Sequence, residues 1–288
     1  MLRRTALLLG VLCLTAGAAG CAGSETATGT EAATTAPAPA TTETLAGTTT
    51  TPAAERSRYR LYYLDGEQLA VFGAEAEGEP TAQEAVEALV ENADGRQTEI
   101  PEGTRVLGVT SGDGLATVDL SEEFGAGGGS LSMQARVAQV VFTLTQWPWV
   151  ERVTILLDGE EVEAIGGEGV PARDLRRADF ENVLPAILVE SPLPGDEATG
   201  PLEISGSARV FEANVSLRLE TAAGQALVET FATASEGAPG RGDFEATLPF
   251  DVDEPTDAFL VAFEASADDG SEQRVVRVPV RLCPASGC

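Results

Sequence analysis

The chain has 288 residues, with 46 Asp and Glu against 18 basic residues, for a formal net charge of -28 at pH 7. Every basic residue is arginine, and histidine and lysine do not occur. Such a surface repels nucleic acid and anionic lipid headgroups, and the missing residue types remove imidazole proton shuttles, Schiff-base amines and imidazole metal ligands.

The first residues have the order of an export signal: Arg3 and Arg4, the apolar run Ala6 to Thr15, then the small residues Ala18-Ala19-Gly20. Cys21 follows at once, and in that place it resembles the lipid acceptor of bacterial lipoproteins, with Ala18 where that family usually has Leu. The resemblance implies a signal peptide over 1–20 and a mature chain that starts at a diacylated Cys21. It also implies attachment to the extracytoplasmic face of the cell membrane. No other apolar run has the length of a transmembrane helix, so lipid is the expected anchor. Residues 21–57 are mostly Thr, Ala, Gly, Pro, Ser and Glu, with Leu45 the one large apolar residue between Ala22 and Ala54. Nothing there can form a core, and a disordered tether is predicted.

From Arg58 to Ala172 the pattern alternates strand pairs with helices. Tyr59 to Leu64 and Leu69 to Phe72 flank the turn Asp65 to Gln68 and predict a hairpin. Thr81 with Glu84 makes a capping box for a helix whose apolar face is Ala82, Ala85, Val86, Leu89, Val90 and Ala93. Val106 to Val109 and Ala116 to Leu120 flank Gly112-Asp113-Gly114, a second hairpin. Beyond Gly125 to Gly129, Met133, Val137, Val140, Val141 and Leu144 recur at helical spacing, with Ser130 as the expected cap. Val150 to Leu157 and Val162 to Ile165 around Asp158-Gly159 predict a third hairpin. An α+β domain with helices on one face of a sheet follows.

Residues 173–183 read as a charged linker, and from 184 to 288 the helical period is gone. Seven alternating runs remain, Ile187–Glu190, Leu202–Ala208, Val210–Leu219, Ala226–Ala232, Phe244–Phe250, Phe259–Ala265 and Val275–Leu282. They predict an all-β immunoglobulin-like sandwich without the antibody-type Cys and Trp pins. The two parts are expected to fold independently. Cys13 leaves with the signal and Cys21 goes to lipid, so Cys283 and Cys288 are expected to form a disulfide in an oxidising compartment. Two cysteines are too few for a metal site, and no cofactor is implied.

Ile100-Pro101-Glu102-Gly103-Thr104, Asp113-Gly114 leading to Val118-Asp119-Leu120-Ser121, Val140 to Thr145 and Leu157-Asp158-Gly159 resemble successive signatures of the GerMN, or sporulation and spore germination, domain. Ser191 to Gly195, Gly200-Pro201-Leu202, Phe211 to Val215, Gly242-Asp243-Phe244 and Leu248-Pro249-Phe250 resemble the immunoglobulin-like domain of bacterial spore germination. These resemblances imply an envelope protein built for association, with self-association through the GerMN-like part. They supply no catalytic residue.

The remaining chemistry is carboxylate chemistry, and a wall-active glycosidase is the enzyme class that could use it. Asp65, Asp113 and Asp158 each adjoin a turn glycine, where Asp serves the turn. Asp251-Val252-Asp253-Glu254 and Asp268-Asp269 are the acidic stretches that could hold calcium between loops, and solvated turns are the simpler reading. The Gly125–Gly129 run matches no nucleotide fingerprint and reads as a loop. Trp147-Pro148-Trp149 is the candidate partner site, for an envelope protein or a cell-wall glycan, provided one indole is exposed.

Overall fold

In the computed structural model the described residues are 56–167 and 169–288. The signal segment, Cys21 and the tether as far as residue 55 lie outside them. The first hairpin pairs β1 (Arg56–Asp65) with β2 (Gln68–Glu77) over ten positions. It therefore starts within the stretch read as tether and runs beyond Phe72. Helix α1 (Ala82–Glu91) carries the expected capping box, and Asn92 ends it in a left-handed conformation. β3 (Val106–Gly112) and β4 (Leu115–Leu120) close on a two-residue turn in which Asp113 and Gly114 have φ of 52° and 75°. That geometry is the reason for an Asp-Gly pair at this point.

Helix α2 (Ser130–Leu144) is more deeply placed than one apolar stripe suggests. Eleven of its fifteen residues, Met133 and Ala135 to Leu144, are buried, including Arg136, Gln139 and Thr143. Helix α2 packs against β1 and α1 and, on another side, against a 3-10 segment at Arg177–Val183. Its cap is the backbone of Gly129; Ser130 is the first helical residue instead of the cap.

β5 (Arg152–Leu157) runs parallel to β4, and β6 (Glu160–Glu161) adds two residues to complete a four-stranded sheet, β3-β4-β5-β6. The third hairpin is therefore shorter than its sequence pattern. Ala164–Ile165, strand β7, turns away to pair with β8, Val170–Pro171. Residues 173–183, read as a linker, belong to the first core. Leu175 exchanges two 2.9 Å backbone hydrogen bonds with Val153, and Phe180 and Val183 are buried.

The second part is a sandwich of eight strands. β9 (Ile187–Ser191), β11 (Leu202–Ala208) and β14 (Gly242–Leu248) form one sheet in the order β14-β11-β9. β10 (Asp196–Ala198), β12 (Asn214–Thr221), β13 (Ala226–Thr233), β15 (Thr256–Ala265) and β16 (Glu272–Leu282) form the other, β10-β16-β15-β12-β13. The added strand, β10, is three residues long and polar, so it has no alternation to read. Phe211–Ala213 is a 3-10 turn instead of the start of a strand. Val215, Leu217 and Leu219 face the core, as does Phe244 with Leu248. No helix among the described residues is long and apolar enough to cross a membrane.

At Gly206 the β9–β11 register slips by a bulge, and a Cβ there would run into the Leu188 carbonyl oxygen and the Phe244 ring. Gly206→Ala must push β9 outward, at a cost of about 1–3 kcal/mol from overpacking. Urea unfolding monitored by tryptophan fluorescence and circular dichroism measures it.

Candidate binding surface and the junction beside it

Helix α2 stops at Thr145, whose N–H and hydroxyl both donate to the Val141 carbonyl, at 2.9 and 2.8 Å. Pro148 has no N–H and cannot continue the helix. The Val150 N–H closes a turn on the Trp147 carbonyl at 3.0 Å. Gln146 fixes that turn to the hairpin: its Oε1 accepts the Arg60 N–H at 2.9 Å, and its Nε2 donates to the Arg60 carbonyl at 3.0 Å. The side-chain amide thus replaces one rung of a neighbouring strand. Of the two indoles, Trp147 is buried in the first core and Trp149 is 60 % exposed, with ring centroids 6.2 Å apart. Trp147 is therefore a core residue, and Trp149 is the indole presented to solvent.

On another flank of α2 lies a polar cluster that the linear sequence did not reveal. The Arg177 guanidinium donates to the Glu190 carboxylate at 2.8 Å, to the Thr145 hydroxyl at 2.7 Å and to the Tyr62 hydroxyl at 3.3 Å. It also lies 4.7 Å from the centroid of the Phe142 ring. Tyr62 donates its hydroxyl hydrogen to Glu190. Burial, and then the Glu190 charge, push the Tyr62 phenol above its usual value. Burial would raise the Glu190 carboxyl, but Arg177 and the Tyr62 hydrogen bond outweigh it and hold the group below its usual value. Three further arginines bridge the same junction, one of them Arg209, which pairs with Glu181 at 3.1 Å. Arg58 pairs with Asp196 and donates to the Pro194 carbonyl at 3.2 Å, while Arg241 pairs with Glu181 at 2.8 Å and donates to the Ser207 carbonyl at 3.0 Å.

Other residues singled out in the sequence serve the fold. Cys283 and Cys288 are joined, with Cα atoms 5.1 Å apart. Glu197 lies beside them, but both sulfurs are used in the bridge and offer no thiolate to a metal. The acidic stretches 251–254 and 268–269 sit at opposite ends of β15, a strand of ten residues, and so about 30 Å apart. They do not share a cation site. Asp269 accepts the Ser271 N–H at 3.0 Å, as a turn residue does. In the Gly125–Gly129 loop, carbonyls turn inward: Arg136 donates to those of Phe124 at 2.6 Å and Ala126 at 2.9 Å. The loop thus holds a cation of its own chain and does not form an anion cradle.

Residues 60–163 match the family described as sporulation and spore germination, and residues 186–271 match the immunoglobulin-like domain of bacterial spore germination. Among solved structures, the chain is similar to a candidate lipoprotein from Clostridium perfringens, at 21% identity over 45% of this chain and 93% of that one, with a TM-score of 0.33. It is also similar to the tandem GerMN domains of the sporulation protein GerM from Bacillus subtilis, at 20% identity over 80% of this chain and 61% of that one, TM-score 0.40. For the first GerMN domain of that protein the values are 28%, 43% and 99%, with a TM-score of 0.35. None of the curated proteins matches the chain.

The Arg177–Glu190 pair makes two predictions about stability. Arg177→Met leaves a half-buried carboxylate without its partner and is expected to cost about 1–3 kcal/mol, part of which Arg177→Met with Glu190→Gln recovers; urea unfolding of both variants checks this. Because the folded Glu190 carboxyl titrates below its unfolded value, its contribution is complete above about pH 5 and is lost as pH falls through the carboxylate range. The difference in Tm between the wild type and Glu190→Gln should therefore narrow as pH falls below the unfolded carboxylate range; a gap that does not change with pH counts against the pairing.

Proposed function

We propose that this chain, which carries a sporulation and spore germination (GerMN) domain followed by the immunoglobulin-like domain of bacterial spore germination, is a non-enzymatic binding module of the bacterial cell envelope. It is tethered through lipid on Cys21 to the extracytoplasmic face of the cell membrane, and it binds an envelope protein or cell-wall glycan through the surface around Trp149. Self-association through the GerMN domain belongs to the same reading.

The observation that carries the proposal is Trp149, an indole 60 % exposed on a turn that is fixed by Gln146, Pro148 and the buried Trp147. Holding a large apolar side chain in water costs free energy unless a partner covers it, and tryptophan is enriched where binding energy concentrates. The carboxylates favour binding over wall hydrolysis. A glycosidase needs a carboxyl group that keeps its proton, together with a second carboxylate free to act. Among the described residues, the buried Glu220 and Glu264 and the half-buried Glu190 are committed elsewhere, to Arg218 and Arg277, to Arg274 and to Arg177 respectively.

Crosslinking in intact cells, followed by identification of captured material and run beside a peptidoglycan digestion assay, tests the reading. Trp149→Ala should remove a specific crosslinked partner without lowering Tm, whereas Trp147→Ala should destabilise the fold. Turnover of wall polymer that disappears on changing one carboxylate would establish the enzyme instead. In the same cells, Cys21→Ala should release the protein from the membrane fraction, and mass spectrometry of the mature N-terminus should find a diacylated cysteine.

A further inference from the structure

The two outer edges of the first hairpin are treated differently. Along β1, the outward groups are taken up one after another. Arg60 is held by the Gln146 amide, the Tyr62 carbonyl accepts from Gln139 Nε2 at 3.0 Å, and the Leu64 N–H donates to the Gln97 carbonyl at 2.9 Å. The hairpin register pairs Tyr62 with Val71 and Arg60 with Gly73. In an antiparallel ladder, residues opposite each other share the same orientation of backbone groups, so Val71 and Gly73 must also direct theirs outward, away from β1. Among the described residues nothing accepts or donates there. From Leu69 to Ala74 the strand itself contributes no proline, charged residue or bulge, and the cations that lie over it, Arg58 at Gly73 and Arg96 on the Phe72 ring, belong to other elements.

Beside that edge runs a groove of about 570 Å³, floored by Val71, Ile187, Val189, Val276 and Val278. A second cavity of about 400 Å³ adjoins it, sharing Gln68, Pro185, Ile187, Val275 and Val276. In a chain of net charge -28, the two are lined by Arg209, Arg274 and Arg277 against a single carboxylate, Asp65. Each of these arginines holds one acid of its own chain, respectively Glu181, Glu264 and Glu220, and keeps 43–49% of its side chain exposed. Guanidinium donors thus remain for a second carboxylate.

We propose that the open edge of β2 is a β-augmentation site for an extended polypeptide whose side chains alternate between apolar and acidic. Backbone groups of Val71 and Gly73 would continue the ladder, alternate apolar side chains would enter the groove, and acidic ones would reach the arginine rim. The proposal does not depend on the Trp149 surface.

Fluorescent octapeptides alternating Glu with Val, or Arg with Val, and a Glu-Val peptide with a central proline, titrated into the full chain, provide the probes. The acidic peptide should bind at least about tenfold more tightly than the basic one, the proline should abolish binding, and the Val71 and Gly73 amides should gain hydrogen-exchange protection. Val71→Pro should remove binding, since that N–H is not used by β1, and a preserved circular dichroism spectrum shows that the hairpin stands. Arg277→Gln should weaken the acidic peptide several-fold, and Trp149→Ala should leave it unchanged. Equal binding of acidic and basic peptides, or no protection at Val71 and Gly73, overturns the proposal. So does protection of those amides without peptide in a chain that elutes as a dimer, which identifies a second copy as the occupant.

Discussion

The structure depends on β9 serving two cores at once. Successive side chains of a strand point to opposite faces, so Ile187 and Val189 enter the sandwich while Leu188 packs into the first core. Glu190 also faces the first part, where Arg177 and Tyr62 hold its carboxylate. A charge of either sign left alone in that position would cost about 1–3 kcal/mol. Glu190 is therefore tolerable only when the segment 173–183 has folded onto α2, and Arg177 only when β9 is in place. This mutual requirement explains why the stretch between the two sequence patterns is folded onto the first core through Leu175, Phe180 and Val183. The described residues accordingly belong to one compact unit.

An all-arginine complement of cations has a structural consequence beyond charge. A guanidinium offers five donors in a planar fork, whereas an ammonium is a compact point charge. Arg136 satisfies the carbonyls of the glycine loop, and Arg241 binds Glu181 together with the Ser207 carbonyl. Each of these sites needs several donors diverging from one side chain. Arginines are thus placed where loop carbonyls and acids converge, and the surplus carboxylates are left to the solvent-facing surface.

Local signals carried much of the architecture. The Thr81–Glu84 capping box, the Asp113-Gly114 turn and the alternation in β12 and β14 each involve neighbours along the chain, and each appears where the sequence placed it. Helix α2 shows where such reasoning stops. Arg136, Gln139 and Thr143 look like a solvent face because they are polar, yet the hairpin and the 125–129 loop cover them, and Gln139 is needed to satisfy Tyr62. Tertiary covering, invisible to periodicity, decides that face. The same limit applies to the candidate site. Trp147 and Trp149 flank one proline and are chemically alike, so the sequence does not say which indole turns inward; the folded turn, tied to Arg60 through Gln146, buries Trp147. The junction cluster was illegible because Tyr62 and Glu190 are 128 positions apart.

Rigidity at the junction bears on how the proposed module would bind a partner. If the two parts were beads on a flexible linker, a partner that touched both would have to order them, and that entropy would be subtracted from its affinity. Here Arg58, Arg177 and Arg241 each tie the first core to the sandwich, and β9 contributes side chains to both. The turn bearing Trp149 and the edge of β2 are fixed to the same hairpin, Trp149 through Gln146 on Arg60 and β2 through its register with β1. Any partner that engages this part of the molecule therefore meets a preformed arrangement of surfaces.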